Sequence, residues 1–291
     1  MKIKVLEILK KEHIPSGSGI IASANSYYVI GDDSPFLFSL NSDFEITSKT
    51  PLVEDFTFLE NGRIPKSEKP DFEALERIDK HEMVVFGSGS KSPQRDVFIR
   101  ILLKDPLLIE NYDSSDFYTN LKNLPLFKDS ELNIEAAAFY NNQIFLFNRN
   151  KNLILEFDYK ELVTHLQGKT AFPQPKIREY SLPRIKGIEA GFSGATALKN
   201  ESKIIFTASV EDTDNAYDDG EILGSFIGVI DISHNNSSES FVYCKIPNQG
   251  AHLKVESVSV EEEISSGKAK VVLITDDDKG NSIILKCMLN W

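Results

Sequence analysis

The sequence predicts an all-β protein with the β-propeller fold, built from five four-stranded blades. The first observation is a short motif that recurs along the chain at intervals of 55 to 63 residues. The second is that a typical repeat holds four short runs rich in β-branched and aromatic residues, separated by Gly, Asn, Asp and Ser. The third is that the last repeat has only three such runs, while an unassigned strand-like segment precedes the first repeat. Four strands per repeat is the unit of a propeller blade.

The recurring motif consists of a polar residue, an apolar residue, Glu, a small residue and an apolar residue. Three segments follow it closely: DFEAL (71–75), NIEAA (133–137) and KVESV (254–258). In GFSGA (191–195) and in the weaker copy GSGII (17–21), Ser replaces the Glu. Regular self-similarity of this kind indicates structural repeats. The key positions are Ser18, Glu73, Glu135, Ser193 and Glu256.

Pairs of an apolar residue and Pro mark the boundaries between repeats. Proline lacks a backbone N–H, so it is suited to the point where a strand leaves a sheet. Two segments, 114–124 and 158–167, have the pattern of short helices within insertions. Six blades is the alternative, if segment 104–132 contains a further partial blade. The pairs are Ile14-Pro15, Ile64-Pro65, Leu124-Pro125, Leu182-Pro183 and Ile246-Pro247.

The two ends of the chain predict how the propeller closes. The last repeat offers KVESVSVEE, AKVVLITDD and SIILKCMLN, and the chain then ends at Trp291. The N-terminal segment 2–10, KIKVLEILK, belongs to no repeat and is predicted to supply the fourth strand of the last blade. Pairing the two ends removes an open sheet edge. Residues 1–291 are therefore predicted to form a single propeller domain.

Composition excludes several classes of protein. A net charge of −12 argues against a nucleic-acid binder, which needs a basic face, but it permits cation binding. No run of eighteen apolar residues is present, so no membrane association is predicted. The N-terminus has no apolar signal region, which predicts a cytoplasmic protein unless a signal was removed. Cys244 and Cys287 lie in apolar runs and are predicted to be buried free thiols. A monomer is expected.

Carboxylates are predicted to gather at one mouth of the central channel. In a propeller, the innermost strand of each blade lines the channel, and the key positions lie near the start of that strand. Glu73, Glu135 and Glu256 should therefore converge there, together with Ser18 and Ser193.

The turns between the second and third strands of each blade should open on the same face. Three of them are acidic: GDDS (31–34), SVEDTDNAYDDGE (209–221) and TDDDKGN (275–281). The long turn offers Glu211, Asp219 and Glu221 to the mouth. The turns of the second and third blades, 87–96 and 147–150, bring Arg95 and Arg149.

Three carboxylates close together cannot all stay ionised without a counter-charge. A divalent cation with oxygen ligands provides one, and Ca²⁺ tolerates irregular sites with six to eight ligands. Glu73, Glu135 and Glu256 are accordingly predicted to bind a cation, Ca²⁺ before Mg²⁺. The alternative is that these glutamates pair with Lys or Arg, or are solvated in a wet channel.

The motifs SGSGI, KPDFEALE, GFSGA and DDGEILGSFIG resemble an uncharacterised bacterial family of β-propeller proteins. The acidic motifs that open the innermost strands, with acid-rich turns on the same face, also resemble calcium-dependent propellers of the phytase-like esterase and SdiA-regulated type. This resemblance implies a propeller with a cation near Glu73, Glu135 and Glu256. It carries over no catalytic activity, because two of the five repeats have Ser in place of Glu.

Two functions follow as hypotheses. The first is a metal-assisted hydrolase of phosphate or carboxylic esters, with Glu211 or Glu221 as the base. Arg95, Arg149, Ser193 and Asp219 would then contact the anionic substrate. The second is a non-catalytic propeller with a structural cation that binds a small anionic molecule or a protein. The fold itself cannot decide between them.

Overall fold

The structure is a computed structural model that describes residues 1–11, 13–24, 26–54, 56–59, 63–212, 220–233, 241–276 and 281–291. Its strands form five four-stranded antiparallel sheets and one two-stranded hairpin. The prediction of an all-β propeller with five blades is confirmed, and the six-blade alternative is wrong.

The first four blades follow one another along the chain, each built from four consecutive strands. Their bounds are β2 (Gly17–Ser23), β3 (Ser26–Gly31), β4 (Phe36–Asn41) and β5 (Ile46–Pro51) in blade 1; β6 (Phe72–Arg77), β7 (Glu82–Gly87), β8 (Phe98–Leu102) and β9 (Leu108–Tyr112) in blade 2; β10 (Ile134–Tyr140), β11 (Gln143–Asn148), β12 (Leu153–Asp158) and β13 (Lys176–Glu179) in blade 3; and β16 (Gly191–Ala197), β17 (Lys203–Asp212), β18 (Glu221–Asp231) and β19 (Phe241–Lys245) in blade 4.

The fifth blade joins the two ends of the chain, as the sequence predicts. Its strands are β20 (Lys254–Ser265), β21 (Lys268–Asp276), β22 (Ser282–Asn290) and the N-terminal β1 (Lys2–Lys11). Strand β1 pairs antiparallel with β22, from Lys2 opposite Asn290 to Lys11 opposite Ser282. The hairpin of β14 (Arg184–Ile185) and β15 (Ile188–Glu189) lies in the connection between blades 3 and 4.

The first strands of the five blades surround the channel. Each of β2, β6, β10, β16 and β20 contacts the equivalent strand of both neighbouring blades, which closes a ring. Five apolar clusters fill the spaces between successive blades. One example is the cluster of Ile21, Ile30 and Leu37 from blade 1 with Phe72 and Val85 from blade 2. The core is therefore a set of blade-to-blade interfaces around a polar channel.

Two short helices occupy the predicted insertions. They are α1 (Ser115–Lys122) and α2 (Tyr159–Leu166). The Asp158 side chain caps α2 by accepting a hydrogen bond from the Glu161 N–H at 3.0 Å. Phe117 and Leu162 pack into the cluster between blades 2 and 3. No helix in the described parts of the chain is long and apolar enough to cross a membrane.

Candidate functional site

A β-bulge in every innermost strand sets the geometry of the channel mouth. In each blade, the pairing between the first and second strands skips one residue, which is left without a partner on the neighbouring strand. A bulge of this kind bends the strand and redirects the side chain of the extra residue. The repeat motif is thus the sequence signature of a bulge. The skipped residues are Ser18, Glu73, Glu135, Ser193 and Glu256.

The two serines at bulge positions connect neighbouring blades. Ser18 donates its hydroxyl hydrogen to the carbonyl oxygen of Phe72, the residue before Glu73. Ser193 donates to the carbonyl oxygen of Val255, the residue before Glu256, at 2.6 Å. Both serines are buried, with exposed fractions of 2% and 1%. Each serine thus stabilises the backbone that carries the next glutamate.

The first group of charges lies between blades 1 and 2 and is called the Lys69 cluster. The Lys69 ammonium contacts Asp32 and lies 2.9 Å from Asp71 Oδ1 and 3.6 Å from Asp33 Oδ1. Arg95 Nη1 lies 2.7 Å from Asp71 Oδ2. The members of the cluster are Asp32, Asp33, Asp71, Glu73, Arg63, Lys69 and Arg95.

Glu73 is the exception within the Lys69 cluster. Among the residues that the structure describes, no side chain forms an ion pair or a hydrogen bond with its carboxylate. Desolvation in the channel wall, followed by the charges of Asp71 and Glu135, raises the pKa of Glu73 well above its usual value, and Lys69 offsets this only in part. Glu73 is partly exposed, so a ligand in the channel can reach it.

The second group lies across the channel and is called the Arg149 cluster. Its members are Glu135, Glu211, Glu256, Arg149 and Lys254. Arg149 lies 3.5 Å from Glu135 Oε2 and 3.0 Å from Glu211 Oε2. Lys254 lies 2.9 Å from Glu211 Oε1 and 3.2 Å from Glu256 Oε1. Every carboxylate here has a cationic partner.

The pKa values in the Arg149 cluster reflect a competition between burial and pairing. Burial raises the pKa of Glu135 to about 7, with Arg149 opposing and Glu256 reinforcing the shift. Burial also raises the pKa of Glu256, against the effect of Lys254. For Glu211, burial is outweighed by Arg149 and Lys254, which hold its pKa below the usual value. Glu135 is therefore suited to exchange a proton near neutral pH, whereas Glu211 stays ionised.

Three carboxylates of the Lys69 cluster are arranged as in a cation site. One oxygen each from Asp32, Asp71 and Glu73 lies within 4.8 Å of the others. Two oxygens on opposite sides of a Ca²⁺ ion are about 5 Å apart, twice the usual bond length. In addition, Asp32 Oδ1 is buried without a hydrogen-bond partner among the described residues. A buried oxygen of this kind is costly unless a cation or a donor reaches it. The donor set therefore fits a hard divalent cation.

The other predicted site residues are placed as follows. Glu221 is exposed at the start of β18, opposite Asp212. Asp219 lies outside the described residues. Arg95 and Arg149 both reach the mouth, but each is bound to carboxylates of the protein. The roles predicted for these residues and for Ser193 remain predictions.

Several residues of the site were not singled out from the sequence. Asp71 and Lys254 each lie two positions before a bulge glutamate, and Lys69 lies four positions before Glu73. The short spacing before the motif glutamates is the signal by which the sequence could indicate these residues. The sequence indicates Asp32 only as part of the acidic turn 31–34.

Five blades around a polar channel, with charged clusters on one mouth, define the chain as a five-bladed β-propeller with an acidic channel mouth. Within that class, it belongs to the family described as "Family of unknown function (DUF6929)", whose model matches residues 13–289. The resemblance to phytase-like esterases and SdiA-regulated propellers is not confirmed. No curated protein matches the sequence at a significant level.

Three solved structures align with almost the whole length of this chain. Arabinanase from Bacillus subtilis aligns with a TM-score of 0.50 at 7% identity, covering 96% of each chain. The tail fiber of Staphylococcus aureus phage P68 aligns at 0.51 and 10% identity, covering all of this chain and 53% of the fiber. Glutaminyl cyclase from Myxococcus xanthus aligns at 0.46 and 8% identity, covering 99% of this chain and 97% of the cyclase. At these identities the likeness concerns the fold alone.

Proposed function

We propose that the channel mouth binds a divalent cation through Asp32, Asp71 and Glu73, with Ca²⁺ as the first candidate and Mg²⁺ as the second. The observation that carries this proposal is the carboxylate of Glu73, which has no partner among the described residues and lies beside two other carboxylates within 4.8 Å. A cation would offset both the desolvation and the repulsion from Asp71 and Glu135 that raise the pKa of Glu73. Glu135 and Glu256, the other two predicted ligands, border this site from the Arg149 cluster.

We further propose that the site hydrolyses phosphate or carboxylic esters. A bound cation polarises a substrate oxygen and lowers the pKa of a coordinated water. Glu135 is the proposed proton acceptor, because its pKa of about 7 lets it take up and release a proton near neutral pH. Glu211 has the lower pKa and two cationic partners, so its proposed contribution is to hold Arg149 and Lys254 in place.

Cation binding can be tested by melting the EDTA-treated protein with and without Ca²⁺. At a Ca²⁺ concentration of about 100 times Kd, we expect Tm to rise by about 5 °C. Glu73→Gln should abolish this rise, since it removes the unpaired ligand. Glu262→Gln is the matched control, because Glu262 is an exposed glutamate that pairs with Lys270 at 2.6 Å. No rise in the unmodified protein with either Ca²⁺ or Mg²⁺ would refute the cation site.

Hydrolysis can be tested separately with p-nitrophenyl phosphate and p-nitrophenyl acetate in the presence of Ca²⁺. Turnover should be lost in Glu135→Gln and kept in Glu262→Gln, while the Ca²⁺-dependent rise in Tm survives in both. Turnover that persists in Glu135→Gln would exclude Glu135 as the proton acceptor. A rise in Tm without turnover on any ester would leave the cation site standing and remove the hydrolase.

The second candidate is a non-catalytic propeller in which the cation is structural and the mouth binds a small anionic molecule or a protein. Arg95 and Arg149 favour it, since both already bind carboxylates of the protein and would have to exchange them for a substrate. Lys69 bears on the cation in both candidates, because its ammonium contacts Asp32 and Asp71, two of the proposed ligands. Lys69→Gln tests this relation: tighter Ca²⁺ binding identifies Lys69 as a competitor of the ion. Unchanged Ca²⁺ binding with a lower Tm identifies Lys69 as the permanent counter-charge.

A further inference from the structure

A large cavity lies at the opposite end of the channel from the acidic mouth. Its volume is about 1000 Å³, the upper end of the range for small-molecule sites. The cavity is formed where the innermost strands of all five blades end, so it is a feature of the whole ring. Among the residues that line it are Tyr27, Glu76, Tyr140, Thr196, Ser259 and Glu261.

Glu76 is the unusual residue of this cavity. It lines the cavity and yet is only 7% exposed. Its Oε1 accepts a hydrogen bond from the backbone N–H of Phe139 in the neighbouring blade, at 3.2 Å. No cationic side chain of the described residues lies within 4.0 Å of it. Burial raises the pKa of Glu76 well above its usual value, and only backbone N–H groups act against this shift.

The other acidic residues of the cavity have partners. Glu261 accepts a hydrogen bond from the Tyr27 hydroxyl and lies 4.0 Å from Lys286 Nζ. Glu263 accepts hydrogen bonds from the Lys199 N–H at 2.5 Å and from Asn200 Nδ2 at 2.9 Å.

The basic residues at the rim of the cavity do not pair with Glu76 among the described residues. Arg77 Nε donates to the carbonyl oxygen of Asp79 at 2.9 Å, while Lys80 and Lys199 are exposed. Glu76 is therefore the buried carboxyl group of the cavity that lacks a counter-charge among the described residues.

Two buried hydroxyl groups also line the cavity. Ser259 is 7% exposed, and its oxygen accepts a hydrogen bond from the Ala22 N–H at 3.0 Å, so its own hydrogen is available to donate. Thr196, at 9% exposed, adds a second hydroxyl from the next innermost strand. A ligand that contacts these residues meets one carboxyl group and two hydroxyl groups, whereas Lys80 and Lys199 are exposed.

We propose that this cavity binds a small hydroxylated organic cation, such as an amino sugar, whose ammonium group pairs with Glu76. A carboxyl group buried without a counter-charge avoids the cost of ionisation by staying protonated, and an ammonium ligand supplies the charge that lets Glu76 ionise, together with hydrogen-bond donors. Charge-assisted hydrogen bonds of this kind are stronger than neutral ones. Ser259 and Thr196 would contact the hydroxyl groups of the ligand. The proposal is independent of the cation site at the other mouth.

The test compares glucosamine with glucose, which carries a hydroxyl in place of the amino group, by isothermal titration calorimetry at pH 6.5. We expect glucosamine to bind about tenfold more tightly than glucose, as one charge-assisted contact predicts. In Glu76→Gln the preference should disappear. This variant keeps a side-chain oxygen that can accept the hydrogen bond of Phe139, so the blades should still pack.

Four further outcomes test the proposal. Equal binding of the two sugars, or no binding of either, would overturn it even if Glu76→Gln failed to fold. Glu73→Gln, at the acidic mouth, should keep the preference for glucosamine. Loss of the preference in this variant would show that glucosamine binds at the acidic mouth and not in the cavity. Glu262→Gln, outside the cavity lining, should leave both affinities unchanged. A preference that persists in Glu76→Gln would exclude Glu76 as the counter-ion.

Discussion

The Lys69 cluster and the Arg149 cluster are built on the same backbone device and use their charges in opposite ways. Both are organised around glutamates at the bulge of an innermost strand. In the Arg149 cluster, Glu135 and Glu256 each have a cation within ion-pair distance. In the Lys69 cluster, the cations bind aspartates and Glu73 is left open. Equivalent positions in a repeat therefore need not have equivalent electrostatics.

The residue two positions before each glutamate explains the difference. Lys254 pairs directly with Glu256 at 3.2 Å, and Asn133 donates to Glu135 at 2.6 Å. The corresponding residue before Glu73 is Asp71, which contributes a further negative charge and takes both Lys69 and Arg95 as partners. One mouth thus contains a half in which every carboxylate has a cationic partner and a half in which Glu73 has none among the described residues. A carboxylate that has no partner and lies beside other carboxylates is what a cation site requires.

The largest effect should come from removing Arg149, which pairs with two of the three carboxylates of its cluster. Arg149→Met leaves Glu135 and Glu211 without their shared partner, so we expect the free energy of unfolding to fall by about 3–5 kcal/mol. Urea denaturation at pH 7 measures this change. Arg184→Met is the control, because Arg184 is 61% exposed and its ion pair with Glu189 should contribute about 1 kcal/mol or less. A loss below 1 kcal/mol for Arg149→Met would show that the cluster is not held together by this arginine.

The second effect is a dependence of stability on pH that originates in Glu135. Its pKa is about 7 in the folded protein and 4.5 in the reference state, so between these values the folded state binds more protons than the unfolded state. Stability should therefore fall as pH rises from about 4.5 to about 7, by about 3 kcal/mol from this group. Glu135→Gln should flatten the curve in this window.

Urea denaturation at half-unit steps of pH checks this expectation, with Glu262→Gln as the matched variant. The raised pKa values of Glu73 and Glu256 act in the same direction, so some slope should remain. Glu211 does not add to the slope in this window, because its pKa is lowered. The same slope in Glu135→Gln and in the unmodified protein would contradict the assignment.

The two clusters also show which features of the molecule can be predicted from the sequence and which cannot. The repeat, its four strands and the closure by segment 2–10 could be predicted because they follow from strand propensity and repeat period. Both can be read from each segment of the sequence by itself. The position of Glu73, Glu135 and Glu256 on one face follows from the same period. Their partners could not be predicted from the motif alone, since pairing depends on side chains from adjacent blades, such as Asp32 and Glu211.

Glu76 illustrates the same limit at the other end of the channel. It lies three residues after Glu73, in the stretch KPDFEALERI, and no feature of that stretch distinguishes it from other strand residues. Only the packing of blade 3 against blade 2 places it in a buried position, against the backbone of Phe139. A property that arises from the contact between two blades has no signature within one of them.

The smallest effect should have the opposite sign and would identify the functional half of the mouth. Glu73→Gln removes a carboxylate that is repelled by Asp71 and Glu135 and has no partner to lose among the described residues. In EDTA at pH 8, we expect this variant to be more stable than the unmodified protein by up to about 1 kcal/mol. At pH 4, below the reference pKa of 4.5, Glu73 is mostly protonated in either state, and the difference should vanish. Thermal melts at the two pH values measure both expectations.

A destabilising Glu73→Gln in EDTA would mean that Glu73 is a structural carboxylate like Glu135 and Glu256. A stabilising one would mean that the fold tolerates an unfavourable charge at this position, and selection retains such charges where a ligand uses them. Adding Ca²⁺ should then reverse the order of the two proteins, because only the unmodified mouth gains binding free energy. The reversal would show that the Glu73 carboxylate destabilises the protein in EDTA and stabilises it with Ca²⁺, which neither measurement shows alone.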